Sequence, residues 1–297
     1  MTRFAFIDRQ RAHYDVTALC SLLKVSRSGF YAWLRRPKSP RALADEVLTE
    51  QIREAFDSNR KVYGSPRIHV ELADDGIRVG RKRVARLMRE DGIVGCHRRK
   101  RSLSITKQDP KADAAPDLVD RKFVATAPNQ LWVADVTYVP TVQGWLYLAC
   151  VTEVFSRMVL GWSMASHRKT DLVVDAVTMA VGRRGGHVPG VIHHSDRGGE
   201  YSSHGLEREL RRHGALASIG SVADCYDNAL AQSLFATLEC ELFDQQPRGR
   251  FQTRRDAKLA VFDFLEAFYN PRRRHSSLGQ TSPAQFEARH TAQAAAA

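Results

Sequence analysis

No stretch of this sequence is apolar for long enough to cross a bilayer. The longest uninterrupted run, Trp145 to Val151, falls far short of the ~18 residues a membrane span needs. The first ten residues, MTRFAFIDRQ, carry charges where a signal peptide would need an apolar segment, which argues against secretion. Cysteine is sparse: Cys20, Cys96, Cys150, Cys225 and Cys240 are odd in number, widely scattered and contain no C-x-x-C pair. That pattern suits reduced cytosolic thiols better than disulfides or a zinc site. Neither an internal repeat nor a leucine-zipper heptad run is apparent. What is present is a chain of 297 residues, 43% hydrophobic and 26% charged. Such a composition excludes a disordered tail or a collagen and predicts a cored protein of roughly two domains.

The charge is unevenly placed. Residues 1–120 carry 25 Lys and Arg against 16 Asp and Glu, and residues 121–270 carry 16 of each. Residues 271–297 hold 4 against 1. The excess therefore belongs to the first part and the tail, around a neutral middle. A basic arm on a neutral body suits a polyanion-binding protein, because each neutralised phosphate releases counterions. The bland alternative is charge that serves solubility.

Residues 15–35 read as two short helices about a turn, with apolar Val16, Leu19, Leu22 and Leu23 on the first. Ser26 is placed to cap the second, which carries Phe30, Trp33 and Leu34. This is a helix-turn-helix pattern, although any small helical hairpin looks similar. An amphipathic helix is expected over 41–57 (Leu43, Val47, Ile52, Phe56), another from Ser65–Pro66, and a third, RKRVARLMRE, after Gly80. In the last of these Val84, Leu87 and Met88 form the inner stripe. Arg81, Lys82, Arg83, Arg86 and Arg89 take the remaining surface, and the one-signed run continues through Arg98, Arg99, Lys100 and Arg101. A charge run is usually a solvated face; this one is read as phosphate-contacting. Residues 102–129, with Asp109–Pro110, Ala115–Pro116 and Ala127–Pro128, read as a linker.

From Leu131 the pattern changes. LWVADVTYV, WLYLACVTEVF and MVLGWSMAS are strand-like, with turns at Gln143–Gly144 and Ser156–Arg157. A helix over 170–183, a strand VIHHSD, a helix over 203–213, a strand near LASIG and a helix from Asp227 to about Leu242 follow. The order describes a mixed α/β domain that opens with an antiparallel meander.

Two carboxylates in this domain stand where stability would not choose them. Asp135 lies mid-strand, on the face of Leu131, Val133, Thr137 and Val139; a charge there is costly unless paired or metal-bound. Asp196 ends the strand VIHHSD before a glycine turn, where ligands of open α/β sheets bind. Either alone reads as a buried Asp satisfied by an arginine or a cap; together they suit a hard cation, Mg²⁺ or Mn²⁺.

WVADVTYV, HHSDRGGEYSS, CYDNALAQSLFATL and FYNPRRRHSSLGQTSPAQF, in that order, resemble the successive blocks of insertion-sequence family three transposases. The likeness is to the frame-B product, and VYGSPRI and RVARLMRE extend it towards the N-terminus. The resemblance implies an RNase H-like α/β core with a mixed sheet, an all-α helix-turn-helix region before it and a basic helical tail after it. The expected divisions are 1–37 (helix-turn-helix), 38–101 (basic helical DNA-binding domain), 102–129 (linker), 130–243 (core) and 244–297 (tail). It further implies two Mg²⁺ ions, with Mn²⁺ able to substitute, held by an Asp–Asp–Glu triad that cuts DNA and joins its ends. Strand cleavage by water and attack by the freed 3′-hydroxyl would need no covalent protein intermediate. The partners it implies are double-stranded DNA (terminal inverted repeats and target), further copies of the chain, and an upstream frame-A product. The setting would be the bacterial cytoplasm, at the nucleoid, with no membrane partner.

Carried over by position, the first two acids are Asp135 and Asp196. The third position is 232, and it holds Gln within an intact DNAxxxS frame. Glu239 lies two helical turns, roughly 10 Å, further on, too far to ligate the same ions. Glu200 reads as a loop acid and Asp227 as a helix N-cap. His193 and His194 precede Asp196; one should point inward, as a core residue rather than a base. In the tail, Asn270, Arg272, Arg273, Arg274 and His275 follow an apolar helix and are expected against DNA or a partner subunit. Gln232 thus predicts an impaired transposase, whether deliberately inactivated or naturally silent. The alternatives are a non-catalytic DNA-binding repressor or assembly subunit, and an RNase H-like nuclease that cuts without joining.

Overall fold

The first four helices begin in the same way, with a side-chain oxygen satisfying a backbone N–H that the first turn leaves free. Thr2, Asp15, Ser26 and Ser39 accept from the amides three residues on, at α1 (Arg3–Gln10), α2 (Val16–Leu22), α3 (Arg27–Arg35) and α4 (Pro40–Ser58). The computed structural model describes residues 2–97, 116–119, 123–196, 198–220 and 229–296. Helices α1 to α3 enclose a small core of Ile7, Leu19, Cys20 and Phe30. Leu22, expected on the inner stripe of α2, points outward instead and is 76% exposed. Leu43 and Val47 of α4 are exposed as well, and Leu48, Ile52 and Ala55 do the packing. They pack on α5 (Ser65–Asp74) and α6 (Arg81–Glu90), whose inner stripe is Val84, Leu87 and Met88 as expected.

Strands β1 (Leu131–Val139), β2 (Leu146–Glu153) and β3 (Val159–Ala165) form the antiparallel meander. After α7 (Thr170–Arg183), β4 (Ile192–Ser195) returns parallel to β1. Helix α8 (His204–Arg212) and β5 (Leu216–Ile219), parallel to β4, complete a sheet in the order β3-β2-β1-β4-β5. This is the mixed sheet of an RNase H-like core. Alternation along β1 sends Trp132, Ala134 and Val136 into the core beneath α7 and α8. Contact there is close: a Cβ on Gly161 of β3 would lie 2.0 Å from the Ala176 carbonyl oxygen.

Helix α9 (Ala229–Leu238) covers the opposite face and runs into a π-helical segment, Glu239–Phe243. The cluster on this side joins three regions far apart in sequence. Tyr63, Ile68 and Val84 meet Val139, Leu146 and Leu148 of the sheet, and Phe264, Leu265 and Phe268 of the C-terminal part. The helical C-terminal region therefore packs against the sheet and against α4 to α6. Helix α10 (Arg254–Phe262) buries Ala257 and Val261, and before α11 (Pro283–Ala296) the side chain of Asn270 accepts from Val159 N and donates to Val159 O, both at 2.9 Å.

Candidate active site

Strand register brings the two aspartates together. The last paired residues of β1 and β4 are Ala134 and Ser195, and Asp135 and Asp196 stand one step beyond them. On its other side Asp135 pairs with Cys150. Its Oδ1 accepts from Val136 N at 2.7 Å, and Asp196 Oδ1 accepts from Gly198 N at 3.1 Å. Burial, then the charge of Asp196, pushes the Asp135 carboxyl up to about 7. Burial also raises Asp196, with Glu200 adding to the effect. The protein thus holds two acidic groups where neither is easily ionised, the condition a divalent cation relieves. Their hard oxygens suit Mg²⁺ or Mn²⁺.

Two further side chains belong to this centre. Glu200 is 8% exposed and accepts from Arg168 Nε at 2.5 Å. A Cβ on Gly198 would touch both Asp196 Oδ1 and Glu200 Oε1 at 3.1 Å, so these oxygens flank a single point. The expectation of a plain loop acid needs correcting: the turn folds Glu200 back over the strand end. Arg168 acts on both aspartates and so supplies local positive charge. Neither residue carried a recognisable spacing signal; the polar run DRGGE beside a strand end was the only hint. Tyr201, next in sequence, has a buried hydroxyl without a hydrogen-bond partner among the described residues, and burial followed by Asp135, Asp196 and Glu200 raises its pKa. Among the described residues no three His, Cys, Asp or Glu side chains approach closely enough to enclose an ion.

Gln232 lies in the first turn of α9, whose Leu230, Ala231, Leu234 and Phe235 are buried towards the sheet. Leu230 packs with Leu131 and Val133, on the β1 face that carries Asp135. The Gln232 side chain itself is exposed, with no hydrogen bond to either aspartate. Tyr226, Asp227 and Asn228 lie outside the described residues, as do Arg98, Arg99, Lys100 and Arg101 and residues 102–115 of the expected linker. The later linker residue Val119 is buried against Leu131 and Val133. Both histidines before Asp196 are buried, not one, because β4 is covered on both faces. Burial lowers His193 to about 4, so it is neutral, and His194 Nδ1 lies 2.9 Å from Ser218 Oγ.

The basic residues expected at DNA divide sharply. Arg81 and Lys82 are exposed without ion pairs among the described residues. Arg83 and Arg86 are instead held by Asp45 at 2.6 Å each, across from α6 to α4. Arg273 is 5% exposed and locked on Glu241 at 2.6 and 2.7 Å. Arg274 pairs with Glu71 and Asp74 and donates its backbone N–H to Tyr63 Oη. These four are engaged in ion pairs between elements, and Asn270 and His275 are buried alongside Arg273. Of the cluster only Arg272 is exposed, donating to Ser58 O.

Integrase core domain models match residues 125–225 and 232–290, and an HTH-like domain model matches residues 42–101. The HTH-like match covers α4 to α6, whereas α2 and α3 lie outside it. Across 98% of its length the chain is 36% identical to all of the transposase InsF for insertion sequence IS3A of Escherichia coli K12. It is 38% identical to the transposase for insertion sequence element IS629 of Shigella sonnei, over 95% of this chain and 94% of that one. The uncharacterized 31 kDa protein of insertion element IS600, from Shigella sonnei, is 38% identical over 93% of this chain and its own full length. Among solved structures, a chain of the simian T-cell lymphotropic virus intasome aligns at TM-score 0.44 and 13% identity, over 75% of this chain and 74% of that one. The HTLV-2 integrase catalytic core domain in complex with magnesium aligns at TM-score 0.38 and 15% identity, over 55% of this chain and 99% of that one.

Proposed function

The chain belongs to the IS3-type insertion-sequence transposases, built on an integrase core, and from that premise we propose a DNA transposase whose strand cleavage and joining are impaired by Gln232. The observation that carries the metal-centre reading is the placement of Asp135 and Asp196 side by side, one step beyond the last β1–β4 pair, with Asp135 raised to about 7 by burial and by its neighbour. Asp135 and Asp196 would hold the divalent ions, two of Mg²⁺ or Mn²⁺. Bound there, they would polarise the scissile phosphate and offset charge on the attacking and leaving oxygens.

The protein's own groups do the positioning. Val136 N–H and Gly198 N–H orient the two carboxylates, and Arg168 offsets their repulsion before a cation arrives. Gln232 offers a neutral carbonyl oxygen where the resemblance calls for an anion. It can touch a cation but does not balance its charge, and the loss is on the order of 10²-fold or more in rate. Because Gln is nearly isosteric with Glu, fold and DNA binding persist. The substrates are element ends and target DNA, engaged by more than one copy of the chain, in the bacterial cytoplasm.

A catalytically silent DNA-binding subunit is the second reading, favoured by Gln232 alone. The test is Gln232→Glu in a divalent-metal cleavage and strand-transfer assay on the element's ends. Recovery of Mg²⁺-dependent nicking and joining is expected. A restored protein that binds those ends yet stays inert would remove the assignment of position 232 and leave the silent subunit.

A further inference from the structure

A cavity of about 570 Å³ opens between α9 and the turn after the π-helical segment Asp263–Tyr269. Three arginines line it: Arg67 from α5, Arg157 from the β2–β3 turn, and Arg273. Arg67 and Arg273 share a single carboxylate, Glu241, at 3.1 and 2.6 Å. Arg157 is different. Its backbone holds a left-handed conformation (φ 63°), and its half-buried guanidinium has no ion pair among the described residues. The titratable groups that act on it among the described residues are the Tyr269 phenol and His275. Burial and the neighbouring arginines press His275 down to about 2, so the imidazole is neutral and does not add to the charge. Burial also lowers the pKa of Arg157, the mark of a cation short of a counter-charge.

Among the described residues, three guanidinium groups therefore gather at the cavity against one carboxylate. Its size falls within the range of ligand pockets. Ser233 and Thr237, one turn apart on α9, add hydroxyls to the lining. A concave, donor-rich site of positive surplus is complementary to a tetrahedral oxyanion. Ser233 also follows Gln232 directly, so the same helix faces this cavity and carries the third triad position.

We propose that this cavity seats a backbone phosphate of the DNA strand, with Arg157 as its principal contact and Ser233 as a hydroxyl donor. The proposal rests on the reading of the chain as a DNA transposase. Arg157 is a binding residue here, outside the carboxylate centre, and none of the basic stretches contained it.

The experiment measures Kd for a fluorescent DNA duplex of arbitrary sequence across a salt series, with the full chain and its variants. For Arg157→Gln the slope of log K against log salt should become shallower by about 0.9, as for one lost phosphate contact, with roughly tenfold weaker binding at low salt. Arg157→Lys should restore the slope, and Ser233→Glu, which puts an anion in the cavity, should weaken binding without changing the fold. Slopes equal to wild type in both Arg157→Gln and Ser233→Glu, with unchanged melting temperatures, would overturn the proposal. In a parallel arm inorganic phosphate is titrated against melting temperature. Phosphate stabilisation lost in Arg157→Gln, with an unaltered duplex slope, would assign the cavity to free anions and likewise overturn it. A wild-type chain that binds no duplex at all would strike the transposase reading, and this inference with it.

Discussion

Asp135→Asn should stabilise the metal-free protein, and by an amount that depends on pH in a definite way. Folding takes this carboxyl from an ordinary value of about 4 to about 7. The folded state therefore binds the proton more tightly than the unfolded chain does. Below pH 4 both states are protonated and no penalty exists. As pH rises from 4 to 7 the folded state loses about 1.4 kcal/mol per pH unit, and above 7 the penalty is complete, at a ceiling of about 4 kcal/mol. Partial solvent access lowers the realised figure to roughly 2–3 kcal/mol. Asn removes the charge and keeps an oxygen to accept from Val136 N, now at 2.7 Å. Urea unfolding in EDTA should show the variant more stable by that margin at pH 8 and equal to wild type near pH 4. Mg²⁺ should then stabilise wild type at pH 8 and leave the variant unmoved. A variant less stable at pH 8, or a gain independent of pH, would refute the claim that this carboxylate is held at an energetic cost.

Two further outcomes test the packing that supports the site. Glu241→Gln leaves the 5%-exposed Arg273 without a full counter-charge and should cost about 3 kcal/mol, read from the urea midpoint. Gly161→Ala places a methyl 2.0 Å from a backbone oxygen and 2.5 Å from Ala180 N, where α7 cannot yield without leaving the sheet. It should cost more than about 4 kcal/mol, seen as loss of soluble folded protein; a melting temperature within a few degrees of wild type would show that α7 stands off from β3.

Much of the core was legible because its signals are local. Runs rich in Val, Tyr and Trp, bounded by turns, delimited the three strands of the meander, and Leu172, Val173, Ala176, Val177 and Ala180 identified α7. Ser26 was placed correctly as a cap because it precedes the helix whose amide it accepts. Asp135 stood out as a lone charge among strand residues. The failures came where a residue's partner is remote. Arg274 lies 203 residues from Glu71, and no pattern within FYNPRRRH distinguishes an arginine destined for a buried pair from one facing phosphate. Asp45 claimed Arg83 and Arg86 from 38 and 41 residues away. Glu200 reads as a plain loop acid from sequence because its burial depends on a turn that folds back over a strand end. Leu22, Leu43 and Val47 match helical periodicity but lie on faces left exposed among the described residues.

Asn270 and the segments around it have a bearing on how the molecule is made. During synthesis α1 to α3 can close over their own small core as soon as they emerge, since Ile7, Leu19, Cys20 and Phe30 need nothing downstream. The catalytic layer has no such independence. Its meander emerges more than a hundred residues before Asn270 reaches Val159, and until Phe264 and Phe268 arrive one side of the sheet, together with α4 to α6, faces solvent or a chaperone. The support beneath the carboxylate pair is thus complete only at the end of translation, and a ribosome that stops early releases a chain whose helices α4 to α6 lack the body they pack against.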